Sequence, residues 1–200
     1  KNKKKLGLEY FVANRAHHSD IGGIAPGSMS LTKEIFQDGL VIPPVKIVRK
    51  GIIQEDLLSL ILSNVRTPEE REGDVLAQIS ANLVGQRSIE SIIYDYGLSQ
   101  TYFYTSELLR YSERMTRAAI SKMPNGEFKF SDFMDDDGIS EDPVKISVKI
   151  IIREDYMVAD FTGSSLQTEG NINAVESIAR TAVYYSIRCL IPYEIPNNSG

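Results

Sequence analysis

Pro68-Glu69-Glu70-Arg71-Glu72-Gly73-Asp74-Val75-Leu76-Ala77-Gln78-Ile79-Ser80-Ala81-Asn82-Leu83 is the stretch on which the fold turns. Proline suits the first turn of a helix, where its missing N–H would be unpaired anyway, and the two glutamates after it complement the positive end of the helix dipole. Leu76, Ile79 and Leu83 recur at helical spacing, Ile89, Ile92 and Ile93 continue the stripe, and Gly97 is a stop. One long helix is predicted. A second set of side chains, Asp74, Gln78 and Asn82, stands at i, i+4 and i+8 and shares one face of it. That face is either the polar wall of a cleft or an ordinary exposed surface.

Helical patterning extends on both sides. Gln54 to Asn64 is rich in leucine and isoleucine, and a further helix runs from about Gln100 to Lys122, with Leu108, Leu109, Met115 and Ile120 as core candidates. Pro124-Asn125-Gly126 ends it. Beyond that point the period changes to two. Gly126 to Phe130 alternates, and Val144, Ile146, Val148 and Ile150 share one face, with Lys145, Ser147 and Lys149 on the other. Asp155 to Phe161 follows after a short turn, so a hairpin is expected. Asn173 to Leu190 reads as a helix with Val175, Ile178, Ala182, Tyr185 and Cys189 inward. At the other end, Leu8 to Ala13 is expected as a strand. Pro43-Pro44 blocks helix and sets up Val45-Lys46-Ile47-Val48 as another. The expected class is a mixed α/β fold of the α+β kind. Residues 1–50 are strand-rich and carry a site loop, 51–125 are helical, and 126–200 form a hairpin plus a helix. Together they are expected to make one compact part of a larger domain.

Composition bounds the function. The 200 residues are 42% apolar and 24% charged, close to average usage, and suffice for a substantial core. The net charge of −5 and the lack of a basic stripe argue against nucleic-acid binding. Lys1 to Lys5 is expected as a solvated turn. No apolar run reaches transmembrane length and no signal peptide is visible, so a cytoplasmic protein is expected. The one cysteine, Cys189, sits in a helical pattern and is expected as a core thiol. Residue 1 is lysine rather than methionine, and the ends read as cuts in a longer polypeptide.

Both histidines of the chain fall in Asn14-Arg15-Ala16-His17-His18-Ser19-Asp20-Ile21-Gly22-Gly23. Imidazole and carboxylate are the ligand types that divalent metals of the zinc, manganese and iron group select. The stretch is therefore either a metal or catalytic loop or a polar, hydrogen-bonded one. Three ligands so close rarely close a metal site, so others must come from elsewhere. Asp135-Asp136-Asp137-Gly138 lacks the spacing of a calcium loop and reads as an acidic turn. Asp160 to Ser165 reads as a turn after a strand that could bring Asp160 to a site. No glycine-rich phosphate loop and no Gly-x-Ser-x-Gly elbow is present.

These stretches resemble the hydantoinase B family: the B subunits of ATP-dependent N-methylhydantoinases, the matching half of 5-oxoprolinases, and subunits of acetone and acetophenone carboxylases. The resemblance runs through Ala13 to Gly23, Pro26-Gly27-Ser28, Gly39 to Lys46, Asn64-Val65-Arg66, Gly73 to Gln78, Tyr111-Ser112-Glu113, Asp160 to Ser165 and Pro196 to Gly200, in order. It implies an enzyme whose A-type partner subunit uses ATP to activate a small-molecule substrate, within a hetero-oligomer. The B-type chain then completes ring opening of a cyclic amide or, alternatively, carboxylation of a ketone. His17 is implied as a metal ligand, and a His-x-x-Asp pair would precede Lys1. His18 and Asp20 are implied as catalytic, orienting ligands, supplying a base or binding leaving phosphate. Asn14, Arg15, Asp74, Gln78 and Asn82 would bind substrate or support those groups. Without the upstream pair the chain alone is expected to be inactive, and a non-catalytic assembly role is a further alternative.

Overall fold

The structure is a computed structural model that describes residues 9–28, 30–191 and 194–199. Its contacts divide the chain into two compact units, one up to Leu98 and one from Ser99 onward. The Lys1 to Lys5 cluster and Leu8 lie outside the described residues.

The first unit is built on its helices. After a short α1 (Ile35–Asp38) come a two-strand hairpin, β1 (Val48–Arg49) and β2 (Ile52–Ile53), then α2 (Glu55–Leu62) and α3 (Pro68–Tyr96). Pro68 opens α3, and the N–H of Gly97 (φ 78°) donates to the carbonyl of Ile93 at its end, so both predicted punctuation marks hold. The hairpin turns through Lys50 (φ 53°) and Gly51 (φ 82°), the double positive φ that matches the twist of paired strands. Leu58 and Ile61 of α2 are buried beside α3.

The strand-rich N-terminal part is not what forms. Glu9 to Ala13 runs without regular structure, and of Val45 to Val48 only Val48 joins a strand. The physical reason lies in the partner. Val12 rests on α3 where a Cβ on Gly85 would come within 2.6 Å of its Cγ1. The segment docks lengthwise on a helix through side chains, and its backbone has no ladder to join.

In the second unit α4 (Leu98–Ile120) leads to an antiparallel sheet of β3 (Gly126–Met134), β4 (Val144–Arg153) and β5 (Tyr156–Asp160), in that spatial order, and then α5 (Glu176–Leu190). Phe130 faces Val148, and Ile150 faces Ala159, so the expected hairpin is the β4–β5 pair with a third strand added at its other edge. Beyond β5, Ser164 and Ser165 take the place of a strand. The N–H of Ser147 donates to Ser164 Oγ (3.0 Å), and that of Lys145 donates to Ser165 Oγ (2.9 Å).

A small core gathers Ala119, Ile191 and Ile195, with Met115 and Ile187 against it. The tail is tied down at the buried Ser112, whose hydroxyl donates to the carbonyl of Pro196 and accepts from Asn198 Nδ2 (2.8 Å). Helix α5 turns a different side inward from the one predicted. Ala179, Val183 and Ile187 are half-buried, while Val175, Ile178, Ala182, Tyr185 and Cys189 are exposed. Periodicity locates an apolar stripe but does not say which neighbour covers it. Cys189 is thus a surface thiol, not a core one. Leu108 is likewise exposed, whereas Ile120 is buried.

The acidic turn has one buried member. Asp137 accepts backbone N–H groups from Ser140 (2.6 Å), Ile139 (2.9 Å) and Gly170 (3.0 Å), stapling two loops. These donors, Ser140 foremost, hold its carboxyl down at about 2. Asp160 caps its turn at the N–H of Thr162 and pairs with Lys149 (3.1 Å), which accounts for its carboxylate without a site. Replacing Asp137 with alanine strands three amide donors and is expected to lower the unfolding midpoint by on the order of 5–10 °C near neutral pH. Because folding depresses this pKa, the stabilisation is present above about pH 4 and is lost as pH falls toward 2. Thermal melts across that range should show the gap between wild type and Asp137→Ala closing in acid.

Candidate functional site

The two-glycine exit of the histidine loop fixes its path. Gly22 and Gly23 both hold φ near +80° (87° and 80°), and a Cβ on Gly22 would lie 2.6 Å from the carbonyl oxygen of Asn64. Only glycine meets both demands. The loop is braced further where Leu40 N donates to Ile21 O and Ile24 N to Gln37 O, each at 2.9 Å. Gln37 in turn caps α1 by accepting from Lys33 N (2.8 Å), and Thr32 Oγ1 donates to Asp38 Oδ1 (2.5 Å).

Asp20 belongs to this brace. It is 5% exposed. Its Oδ2 accepts the backbone N–H of Arg66 (2.5 Å), and its Oδ1 accepts that of Gly22 (3.0 Å) and the Arg66 guanidinium (2.9 Å). Arg66 also reaches the carbonyl of Gly23 (2.8 Å). The Arg66 N–H first, then that of Gly22 and the charge of Arg66, hold the Asp20 carboxyl below its ordinary range. Asp20 therefore anchors the loop and does not line the pocket described next.

From Val12 to His18 the chain runs along the predicted polar face of α3. Asn14 Nδ2 donates to the carbonyl of Gln78 (2.9 Å) and to Asn82 Oδ1 (2.8 Å). His18 Nε2 lies 2.6 Å from Gln78 Nε2, and His18 Nδ1 lies 3.9 Å from Asp74 Oδ2. Asp74 and Gln78 of the shared face line the cavity described next, while Asn82, one turn on, meets Asn14 outside its lining. The apolar residues Leu76, Leu83 and Ile92 of the same helix are the exposed ones. Asn14, Arg15, His17, His18, Asp74 and Gln78 surround an open cavity of about 320 Å³, floored by Ala16, Ala77 and Ala81.

The groups differ in commitment. His17 is exposed, and neither it nor Arg15 makes a hydrogen bond or ion pair among the described residues. His18 is mostly buried, with its Nδ1 enclosed and unpartnered. Arg71, which sequence reasoning missed, has a side chain only 7% exposed and holds Asp74 Oδ2 through Nη1 (3.0 Å). Among the described residues no three histidine, cysteine, aspartate or glutamate side chains converge on a metal position. The free imidazole of His17 at the cavity suits one bond to a divalent cation, so the donor set fits a single ligand rather than a cage. No helix among the described residues is long and apolar enough to cross a membrane.

Fold and pocket define an α+β protein with a histidine-bearing cavity on the flank of a long helix, walled by amides and one carboxylate. Residues 4–200 match the model of the hydantoinase B/oxoprolinase family, and the chain belongs to that family. It is 33% identical over 208 residues to 5-oxoprolinase of Saccharomyces cerevisiae, covering 96% of this chain and 16% of that protein. The structure of ATP-dependent caprolactamase from Pseudomonas jessenii superposes with a TM-score of 0.81 at 30% identity, over 90% of this chain and 31% of that one. A nucleotide-free acetone carboxylase superposes with a TM-score of 0.84 over 92% of this chain and 26% of that one; at 22% identity this likeness is one of fold. The chain thus spans a third or less of these relatives.

Proposed function

We propose that the chain is the pocket-bearing part of a B-type subunit of an ATP-dependent cyclic amidohydrolase, opening rings of the hydantoin or 5-oxoproline kind. The observation that carries this is the cavity itself, where the uncommitted His17 and Arg15 meet a wall of fixed amides. Two relatives at 30% identity or more, 5-oxoprolinase and caprolactamase, bear names of cyclic-amide enzymes, which favours hydrolase over ketone carboxylase.

His17 would hold a divalent cation of the zinc, manganese or iron group, whose chemistry there is to polarise an oxygen or supply hydroxide. Arg15 meets the negative charge of a substrate already activated by phosphorylation. The amides of Asn14 and Gln78 orient the ring. His18 accepts or returns a proton at the cavity. Hydrolysis of ATP belongs to an A-type partner, since the sequence has no phosphate-cradling loop and its net charge of −5 repels a triphosphate. A partner packed against this chain passes on the activated intermediate without loss to water. The cytoplasm is the proposed compartment, where Cys189, an exposed free thiol, stays reduced.

The test is to purify the complete B-type chain and assay ATP hydrolysis with and without the A-type partner, supplying hydantoin, 5-oxoproline, acetone and acetophenone in turn. Cyclic-amide-stimulated hydrolysis only with the partner is expected. Substrate-stimulated ATPase activity in the lone chain would refute the division of labour. Stimulation by the ketones instead would make the enzyme a carboxylase, and no stimulation at all would leave an assembly role.

A further inference from the structure

The second unit holds a cavity of its own, of about 550 Å³, lined from α4, α5 and the segment after α5. Part of the lining is apolar. Ile187, Ile191 and Ile195 come from the small core, and Pro196 joins them. The rest is polar and includes Thr116, Arg188, Asn197 and Ser199. Apolar walls with a few polar groups are the usual composition of small-molecule sites, and this volume lies within their range.

The polar groups show what would bind. The lining carries one full charge, on Arg188, and no aspartate or glutamate, in a chain whose net charge is −5. Arg180, two turns earlier on α5, is already paired with Glu176 (2.7 Å). Arg188 instead donates through Nη2 to the carbonyl of Ile195, a neutral group, and has no ion pair among the described residues. Its other N–H groups suffice to hold a carboxylate, which a guanidinium matches in shape as well as charge. Thr116, Asn197 and Ser199 make no side-chain hydrogen bond among the described residues, whereas Asn198 is committed to Ser112 (2.8 Å).

We propose that this cavity is a second binding site, for a small monocarboxylate with an apolar body. Arg188 takes the carboxylate, the uncommitted hydroxyl and amide groups add donors, and the isoleucines cover the body. An ammonium group on that body would lose its hydration and meet no carboxylate in the lining, so amino acids are excluded. A ring-opened cyclic amide carries both an amine and a carboxylate, so the site rejects such a product. The proposal stands without the amidohydrolase reading, since it concerns binding and not turnover.

The experiment is calorimetric titration of the complete protein with hexanoate and with 6-aminohexanoate. Hexanoate should saturate one site, and 6-aminohexanoate should bind at least about tenfold more weakly. Arg188→Gln should weaken hexanoate binding by about tenfold or more, the loss of a charge-assisted pair. Thr116→Leu, which fills the cavity and leaves the Arg188–Ile195 bond intact, should weaken it likewise, and so keeps the test open if Arg188→Gln folds poorly. Arg15→Gln, at the histidine cavity, should leave it unchanged. Absence of saturable hexanoate binding overturns the proposal, as does equal binding of the two acids. Undiminished binding in folded Arg188→Gln or Thr116→Leu also overturns it. Loss of binding in Arg15→Gln would place the acid in the histidine cavity and overturn it too.

Discussion

On the proposed reading, His17→Ala in the complete protein is expected to remove most of the divalent metal and to lower turnover by on the order of 100-fold or more, with the unfolding midpoint unchanged. The expectation follows from commitment. His17 is exposed at the cavity and makes no hydrogen bond that its loss would strand. Nothing in the fold depends on it, so an effect on function is not a disguised effect on stability. His18→Ala should retain more metal and lose about 10- to 100-fold in activity. Elemental analysis, turnover and thermal melts on the same samples separate these outcomes. Full metal and full turnover in His17→Ala would remove His17 as a ligand.

Asp20→Ala gives the opposite profile, a stability loss first. It leaves two backbone N–H groups without an acceptor and frees the Arg66 guanidinium, and a fall in midpoint of roughly 10 °C is expected. Arg66→Ala should fall less, because the backbone donors to Asp20 remain, and Arg66→Lys should recover only part, since lysine cannot bridge Asp20 and Gly23 with one planar fork. The Asp20 carboxyl is held below its ordinary range, so this stabilisation is present above about pH 4 and fades in acid. If Asp20→Ala melts like wild type and loses turnover alone, the carboxylate works at the reacting atoms after all.

Much of this was open to reading in the chain. Pro68 and Gly97 bound α3 because each acts through its own backbone, and the alternation from Val144 marks β4 because period two is local. The polar set Asp74, Gln78, Asn82 is visible as a shared face for the same reason. Its inward direction is not, since period alone is blind to which side a neighbour takes. Leu8 to Ala13 looks like a strand because apolar residues run together there, yet for Glu9 to Ala13 a ladder needs a second backbone and α3 offers side chains. Asp20 draws notice as a catalytic candidate because it stands near two histidines; its partner in the fold, Arg66, is 46 residues away, and one arginine carries no periodic mark. Arg71 was hidden in the same way within a charged first turn.

The reach of the loop's bonds also sets the order in which the molecule comes together. Asn14 closes onto Asn82 across 68 residues, and Asp20 onto Arg66 across 46. A helix such as α3 grows from neighbours, on the microsecond scale, whereas closures of that span wait for their template. The cavity is therefore the last part of its unit to lock and the first to breathe. Hydrogen exchange should find the amides of Asn14 to His18 opening well below the global unfolding free energy, while those of mid-α3 hold out longest.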